Sequence, residues 1–266
     1  MRVLVTGAAG SIGRVVTTGL AGAGHDVVAL DRVDFDAPHE VETVVGDVLD
    51  PSVVREALTG ASGVVHLASI PHEASLPDIL RSHVHTTAAL LEAMVEAGAR
   101  RMVYASSNHA VGRTPRTDTV STDTRQRPDS FYGVGKVAAE ALCSLYADRH
   151  GLDVVACRIG SFQPRPTSRR QLSTWLSHDD AVRMVLAGLT ARDPGFAVLY
   201  GISANTRAWW DLAPGRALGY HPEDDAEAYA EQILATPETD DDRFEASHVG
   251  GPFVSDSFVR PAFDEG

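Results

Sequence analysis

The sequence predicts an α/β fold built on a doubly wound, parallel β-sheet. Three observations predict it: apolar runs of strand length alternate with helical patterns, a glycine-rich turn follows the first strand, and an acidic residue ends the second. With 266 residues, of which 44% are hydrophobic, the chain is long enough to bury the core of one such domain. Beyond residue 160 the alternation becomes irregular, which predicts a small C-terminal substrate-side region.

The elements follow one another along the chain. Each predicted strand is a short apolar run bounded by turn signals, and the strands lie at about residues 2–6, 27–30, 42–46, 63–67, 101–105 and 153–157. Helical patterns occur at about 11–23, 52–58, 78–97 and 131–149. The segment from Arg113 to Asp129 is rich in Thr, Asp, Arg and Pro, which predicts a loop. Further on, Ser177 is predicted to cap a helix, and another helix is expected near 223–235.

The first strand runs directly into the turn Gly7-Ala-Ala-Gly10-Ser-Ile-Gly13. Glycines in this pattern let the backbone turn tightly and approach a pyrophosphate, which binds at the N-terminus of the next helix. Asp31 ends the second strand and suits the hydroxyls of a ribose. Because its charge would repel a 2′-phosphate, which Arg32 offsets only in part, the pattern favours NAD over NADP in a Rossmann-type site. A solvated loop acid is the alternative for Asp31.

The only lysine of the chain, Lys136, follows Tyr132 by four residues. Residues at this spacing lie on one face of a helix. A phenol with a pKa of about 10 is a poor base at neutral pH, but a nearby ammonium favours its ionised form. The pair therefore predicts a tyrosine base supported by a lysine, which also can reach a ribose hydroxyl. An ordinary exposed lysine is the alternative.

Further polar residues follow the predicted strands, where an open parallel sheet binds ligands. Asp47 comes after the third strand, and the run His66-Leu-Ala-Ser69 ends the fourth. The fifth strand is followed by Ser106-Ser-Asn-His109, so that a serine hydroxyl is expected beside Tyr132. A polar loop that satisfies its own backbone is the alternative for this quartet.

Composition excludes several classes of function. A net charge of −13 and a pI near 5.2 argue against a nucleic-acid partner, because a phosphate backbone needs a basic patch. No apolar run reaches membrane-spanning length, and a strand beginning at Arg2 leaves no room for a signal peptide. Cys143 and Cys157 suit reduced, buried positions, so a cytoplasmic location is expected. The eleven histidines form no ligand cluster, so no metal site is expected.

Together the glycine motif, Asp31, Ser107, Tyr132 and Lys136 resemble the extended short-chain dehydrogenase/reductase superfamily over essentially the whole chain. Longer runs are similar to uronate dehydrogenases. These runs are Ala105-Ser-Ser-Asn-His109, Arg127-Pro-Asp-Ser-Phe-Tyr-Gly-Val-Gly-Lys136, Arg158-Ile-Gly-Ser161, Leu172-Ser-Thr-Trp-Leu-Ser-His-Asp-Asp180 and Gly201-Ile-Ser-Ala-Asn-Thr-Arg-Ala-Trp-Trp-Asp211. The resemblance implies oxidation of the anomeric carbon of D-galacturonate or D-glucuronate with NAD, which yields an aldarolactone.

The resemblance also implies residue roles. The catalytic triad falls on Ser107, Tyr132 and Lys136. The expected substrate residues are Ser107, Asn108, His109, Tyr132, Ser161 and Arg170, with Arg170 pairing with the uronate carboxylate. The expected cofactor residues are Gly7, Gly10, Ser11, Ile12, Gly13, Asp31, Arg32, Asp47, Val48, Leu67, Ala68, Ser69, Tyr132, Lys136 and Ile159. Residues 1–160 are predicted to form the NAD-binding core and 161–266 the substrate-side region, within one structural domain.

Two positions depart from the pattern of the family. Pro71 replaces a serine that helps to bind substrate, and His83 replaces an asparagine close to the cofactor, where a histidine can donate a similar hydrogen bond. Trp209 and Trp210 are predicted to be packing residues.

Two other functions stay open: an NAD-dependent epimerase or reductase of another sugar, possibly nucleotide-activated, and a non-catalytic NAD-binding regulator. A homo-oligomer is the default expectation for this fold.

Overall fold

A seven-stranded parallel sheet lies at the centre of the computed structural model, which describes residues 1–116 and 119–263. The order of strands across the sheet is β3-β2-β1-β4-β5-β6-β9, and β7 and β8 form a separate parallel pair. The strands are β1 (Arg2–Thr6), β2 (Asp26–Asp31), β3 (Glu42–Val45), β4 (Gly63–His66), β5 (Arg101–Ser107), β6 (Asp153–Ile159), β7 (Ser161–Phe162), β8 (Trp175–Leu176) and β9 (Phe196–Gly201).

Helices connect the strands and cover both faces of the sheet. They are α1 (Ser11–Gly22), α2 (Pro51–Ala57), α3 (Leu76–Ile79), α4 (Thr86–Ala97), α5 (Phe131–His150), α6 (Gln171–Thr174), α7 (His178–Thr190), α8 (Ala213–Ala217), α9 (Ala230–Leu234) and α10 (Asp240–Glu245). A π-helical segment, Leu80–His85, joins α3 to α4. Short 3-10 turns lie at Asn108–Val111, Ala226–Tyr229, Gly251–Val254 and Asp256–Phe258.

The two faces of the sheet bury two different sets of side chains. Along β1, Val3 and Val5 lie in a cluster with residues of α1 and α7, whereas Leu4 lies in a cluster with residues of α2, α4 and α5. This division follows from the period of two along a strand. Because helices cover both faces, the strands are apolar nearly throughout.

The chain reverses its direction of winding at β1, which has β2 on one side and β4 on the other. The connections that leave β1 and β4 therefore diverge at the carboxyl ends of these strands and open a crevice. Gly7 lies at this point with a φ of +72°, a conformation that favours glycine. The crevice is the location that the fold offers to a ligand.

The predicted α/β class and the predicted strands are confirmed, with boundaries that differ by one or two residues. Ser177 caps α7 through the backbone N–H of Asp180, as expected. The helix expected near 223–235 is instead a 3-10 turn followed by the short α9. The sheet also takes its seventh strand, β9, from beyond residue 160. The predicted division into an NAD-binding core before residue 160 and a substrate-side region after it therefore does not follow the sheet, and it stays a prediction about which part binds which ligand.

Within residues 1–116 and 119–263, no helix combines the length and the apolar character that crossing a membrane requires.

Candidate active site

A cavity of about 700 Å³ lies in the crevice at the carboxyl ends of the strands. All the residues that the sequence assigned to the cofactor line it: Gly7, Gly10, Ser11, Ile12, Gly13, Asp31, Arg32, Asp47, Val48, Leu67, Ala68, Ser69, Tyr132, Lys136 and Ile159. Ser107 lines the cavity as well. The fold thus brings together residues in or just after six strands and residues at the start of two helices.

The glycine-rich turn has the shape that a dinucleotide requires. A Cβ on Gly7 would come within 2.7 Å of the backbone nitrogen of Ala68, and a Cβ on Gly13 would overlap the backbone of the turn. Helix α1 begins after Gly10 without a side-chain cap, whereas Ser130 caps α5. The first backbone N–H groups of α1 are therefore suited to an anionic group such as a pyrophosphate.

Asp31 is held in place at the rim of the same cavity. Its carboxylate accepts hydrogen bonds from the backbone N–H of Ala9 at 2.9 Å and of Val33 at 3.3 Å. A carboxylate has about four acceptor sites, so capacity is left for the hydroxyls of a ribose. The turn and Asp31 together fit NAD.

Tyr132 and Lys136 lie one turn apart on α5, as the spacing predicts. The Lys136 ammonium donates to the Ala105 carbonyl at 2.7 Å and to the Ser69 hydroxyl at 3.2 Å, and lies 5.4 Å from the centre of the Tyr132 ring. Ser107, the last residue of β5, donates to the side-chain oxygen of Asn108 at 3.3 Å. The lysine is therefore buried and anchored between two strand ends, so the alternative of an exposed lysine is wrong.

Burial is the main influence on the pKa values of Lys136 and Tyr132. It lowers the pKa of Lys136 to about 7, with the charge of Glu140 acting in the opposite direction. It also raises the pKa of Tyr132 to about 12, against a lowering by the hydroxyl of Ser107. The sequence predicted a lowered pKa for Tyr132 through Lys136. In the protein alone the direction is the reverse, because removal of water disfavours the phenolate more than its neighbours stabilise it.

We expect Ser107→Ala to reduce kcat by about 10- to 100-fold at neutral pH. Since Ser107 lowers the pKa of Tyr132, its removal raises that pKa and moves the rise of activity to higher pH. At pH values well below about 12 the two ionised fractions differ by a constant factor, so the deficit in kcat should be constant there and shrink only as the pH approaches 12, in a pH profile of kcat for both proteins. A deficit that did not shrink at the alkaline end of the profile would show that Ser107 does not act on the ionisation of Tyr132.

Sequence analysis did not anticipate the role of Glu73. Its two carboxylate oxygens accept from the backbone N–H groups of Phe131 at 2.9 Å and Tyr132 at 2.8 Å. A negative group at the N-terminus of a helix stabilises it. Glu73 therefore fixes the start of α5, which carries Tyr132, from a loop 59 residues away.

A buried polar network lies behind the triad. Glu140, one turn beyond Lys136, accepts two hydrogen bonds from Arg158, at 3.0 and 2.9 Å, and one from the Ser106 hydroxyl at 2.5 Å. Arg158 also donates to the Thr122 carbonyl at 3.0 Å. The network ties α5 to β5 and β6. The four-residue spacing from Lys136 to Glu140 was the only sequence signal for it.

Four expected substrate residues, Asn108, His109, Ser161 and Arg170, do not line the cofactor cavity. Arg170 lines a second cavity of about 760 Å³. Its Nη2 donates to the Val249 carbonyl at 2.6 Å, and the buried Nη1 has no partner among the described residues. Burial lowers the pKa of Arg170 to about 10, which leaves it charged at neutral pH.

The C-terminal segment Val249–Phe253 brings these residues together. The Val249 carbonyl accepts from Asn108 at 3.3 Å as well as from Arg170, whose side chain crosses Gly251. The ring of Phe253 lies 4.0 Å from that of His109. Sequence analysis assigned no role to this segment, because its glycines follow no pattern with the residues it contacts.

Ser161 and the paired tryptophans lie nearby. The Ser161 hydroxyl is 2.9 Å from that of Thr174, which in turn donates to the Arg170 carbonyl at 3.2 Å. Trp209 and Trp210 stack at 4.0 Å and are buried in an apolar cluster, as expected of packing residues, and Trp209 also lines the second cavity.

The two departures from the family pattern have different outcomes. Pro71 lines the cofactor cavity. His83 is buried, with its ring 5.3 Å from that of Tyr132, and burial lowers its pKa to about 3. Its Nδ1 lies 2.8 Å from the Ser82 hydroxyl, which can donate or accept, and 3.2 Å from the Ile79 carbonyl. Nε2 is buried and has no partner in the described part of the chain. That His83 donates a hydrogen bond close to the cofactor stays a prediction.

Residues 1–116 and 119–263 contain no group of three or more His, Cys, Asp or Glu side chains arranged to hold a metal ion.

Comparison with known proteins gives consistent likenesses. Residues 3–193 match the NAD dependent epimerase/dehydratase family. The uronate dehydrogenase of Agrobacterium fabrum is 39% identical over 261 residues, which are 97% of this chain and 98% of that protein. A solved uronate dehydrogenase from Agrobacterium tumefaciens, a tyrosine-to-alanine mutant complexed with NAD, has a TM-score of 0.91 and 38% identity, and 99% of each chain is covered. The glucuronic acid dehydrogenase of Chromohalobacter salexigens has a TM-score of 0.89 and 38% identity over 95% of this chain and 96% of that one.

Proposed function

The chain belongs to the NAD dependent epimerase/dehydratase family and is a homologue of the uronate dehydrogenases, and from this we propose that it oxidises a hexuronate at its anomeric carbon with NAD. The substrate is D-galacturonate or D-glucuronate, and the product is the aldarolactone. The observation that carries the proposal is the group of Ser107, Tyr132 and Lys136 at the inner wall of the cofactor cavity. Its geometry suits removal of a proton from a hydroxyl.

Each residue of the group has a separate task. Tyr132, as a phenolate, takes the proton of the C1 hydroxyl, and Ser107 orients that hydroxyl. Lys136 supplies positive charge beside the Tyr132 ring from a position fixed by Ala105 and Ser69. NAD, when bound, supplies the acceptor for the hydride that leaves C1. Loss of the proton and the hydride turns C1 into the carbonyl carbon of the lactone.

Arg170 is proposed to bind the uronate carboxylate. Its Nη1 is buried without a partner among the described residues, an arrangement that is costly unless a ligand supplies an acceptor. A guanidinium matches a carboxylate with two parallel hydrogen bonds. The Val249 carbonyl accepts from both Arg170 and Asn108, and Asn108 accepts from Ser107, so the sugar is proposed to lie between Tyr132 and the Val249–Phe253 segment.

The proposal is tested by measuring NADH formation with galacturonate, glucuronate, galactose and glucose in parallel. We expect reduction of NAD with the two uronates and little with the neutral sugars. Equal rates with all four sugars would leave Arg170 without its proposed role. Absence of reduction with any of them, in protein that binds NAD, would overturn the proposed activity.

We expect Asp31→Ala to raise the KM for NAD by about tenfold or more and to improve the use of NADP relative to NAD. The substitution removes an acceptor for the ribose hydroxyls and also a charge that repels a 2′-phosphate. Asp34→Ala is the control, since Asp34 is exposed, lies three residues away and does not line the cavity. An unchanged ratio of NADP to NAD use would show that Asp31 does not select the cofactor.

A cytoplasmic location and a homo-oligomer stay predictions. The location is supported by Cys143 and Cys157, both buried and unbridged, as suits a reducing compartment. Size-exclusion chromatography with light scattering would decide the number of subunits.

A further inference from the structure

Asp129 carries a carboxylate that the proposed reaction does not use. Its side chain is completely buried, at 0% exposure. One oxygen lies 2.8 Å from Nδ1 of His109, and the other accepts from the Ser130 hydroxyl at 2.8 Å. A buried charge is costly unless it is paired and hydrogen-bonded. The hydrogen bonds to His109 and Ser130 therefore offset part of the free-energy cost of burying this carboxylate, which lies next to the helix that carries Tyr132.

Two glycines make the room for this carboxylate. A Cβ on either Gly112 or Gly250 would overlap the Oδ2 atom of Asp129. Neither glycine is required by its backbone, since their φ and ψ are −57° and −35°, and −75° and −11°, which any residue adopts. They lie on separate segments joined by a 2.8 Å hydrogen bond from Gly250 N–H to the Gly112 carbonyl. Space for Oδ2 is thus the specific requirement at both positions.

The ring of His109 is held from several sides. Phe253 lies 4.0 Å from it, and Tyr132 meets it edge to face at 5.8 Å. The carboxylate of Asp129 can only accept, so Nδ1 of His109 carries a hydrogen. In the neutral ring, Nε2 on the far side is then an acceptor, and it has no partner among the described residues.

We propose that Asp129 is a positioning residue for the sugar: it fixes His109 in the form with hydrogen on Nδ1, so that Nε2 accepts a hydrogen bond from a hydroxyl of the uronate. This inference rests on the proposed function for the identity of the ligand. Asp129 itself does not touch the substrate. A carboxylate next to a histidine commonly sets which ring nitrogen carries the hydrogen and how the ring is oriented.

The tautomer can be measured without substrate. In ¹⁵N-correlated NMR of the whole protein, with His109→Gln used to assign the signal, we expect the hydrogen of His109 on Nδ1. In Asp129→Asn the amide can turn its NH₂ toward Nδ1, so the other tautomer should appear. Finding the hydrogen on Nε2 in the wild-type protein would overturn the proposal.

Kinetics test the consequence for the sugar. We expect Asp129→Asn to lower kcat/KM for the uronate by about 10- to 100-fold, with the KM for NAD unchanged. Asp123→Asn is the control, because Asp123 is exposed in the same loop. In a His109→Ala background, Asp129→Asn should cause no further loss in kcat/KM. An equal loss in both backgrounds would show that Asp129 acts independently of His109.

A third variant displaces the carboxylate without changing its charge. Gly250→Ala should reproduce the kinetic loss of Asp129→Asn, whereas Gly22→Ala should not, since a Cβ on Gly22 meets no atom within 4 Å. Wild-type kinetics with Gly250→Ala would show that the space around Oδ2 has no role. If the wild-type enzyme failed to oxidise uronates, the proposed function would be wrong, and the NMR measurement would still decide whether Asp129 sets the tautomer of His109.

Discussion

Tyr132→Phe should abolish oxidation of uronates while NAD binds with unchanged affinity. The substitution removes only the hydroxyl that acts as the base, and loss of a general base typically costs about 10²- to 10⁴-fold in rate. Its ring contacts with His83 and His109 are kept. Steady-state kinetics measure the first effect, and titration calorimetry with NAD measures the second.

The matched control is Tyr146→Phe, the same change on the same helix. Tyr146 lies away from the cavity and donates to Glu92 at 3.2 Å on the surface. Because the pKa of Tyr132 is raised to about 12, its ionised fraction grows as pH increases. Ionisation of Tyr132 should therefore raise the wild-type kcat/KM as pH increases, whereas loss of the charge of Lys136, whose pKa is about 7, acts in the opposite direction. Turnover that persisted in Tyr132→Phe would exclude Tyr132 as the base.

The second large effect is expected for Arg170→Ala. Removal of one partner of a buried, hydrogen-bonded charge pair costs about 2 to 5 kcal/mol, which is a loss of roughly 30- to 5,000-fold in kcat/KM for the uronates. The neutral sugars galactose and glucose lack the carboxylate, so their kcat/KM should change little. The preference for uronates over neutral sugars should therefore collapse.

Arg165→Ala is the control for the loss of a nearby positive charge, since Arg165 is exposed in the same segment and lines neither cavity. Arg170→Lys should recover only part of the activity, because an ammonium cannot form the two parallel hydrogen bonds of a guanidinium. Arg170 lies at the second cavity, so this test also decides where the carboxylate binds. Equal losses for uronates and neutral sugars would mean that the carboxylate binds elsewhere.

Much of the cofactor half of the site could be predicted from local patterns. The glycine spacing, Asp31 at the end of β2 and the interval from Tyr132 to Lys136 are short-range features, and each depends on the geometry of a single turn or helix. These residues line one cavity together with the others that the family resemblance implies at the cofactor. The ionisation of Tyr132 could not be predicted in this way, since burial depends on every element packed around it.

The half of the site that is proposed to bind the sugar was less predictable. The resemblance named Asn108, His109 and Arg170, but what holds them is a C-terminal segment, Val249–Phe253, that no pattern marked. The contact from Asn108 to Val249 spans 141 residues of sequence. Neither helical nor strand periodicity carries information over such a distance.

The sequence by itself determined the α/β class, the positions of the first six strands along the chain, and the glycine turn, Asp31 and the Tyr132–Lys136 pair, because these follow from periodicity and from turns of a few residues. Only the tertiary structure decided that Glu73 accepts from the first backbone N–H groups of the helix of Tyr132, that Gly112 and Gly250 enclose Asp129, and that Arg170 lies at a second cavity. The physical reason is that packing joins segments far apart in the chain, and the space and charge around each side chain exist only once those segments meet.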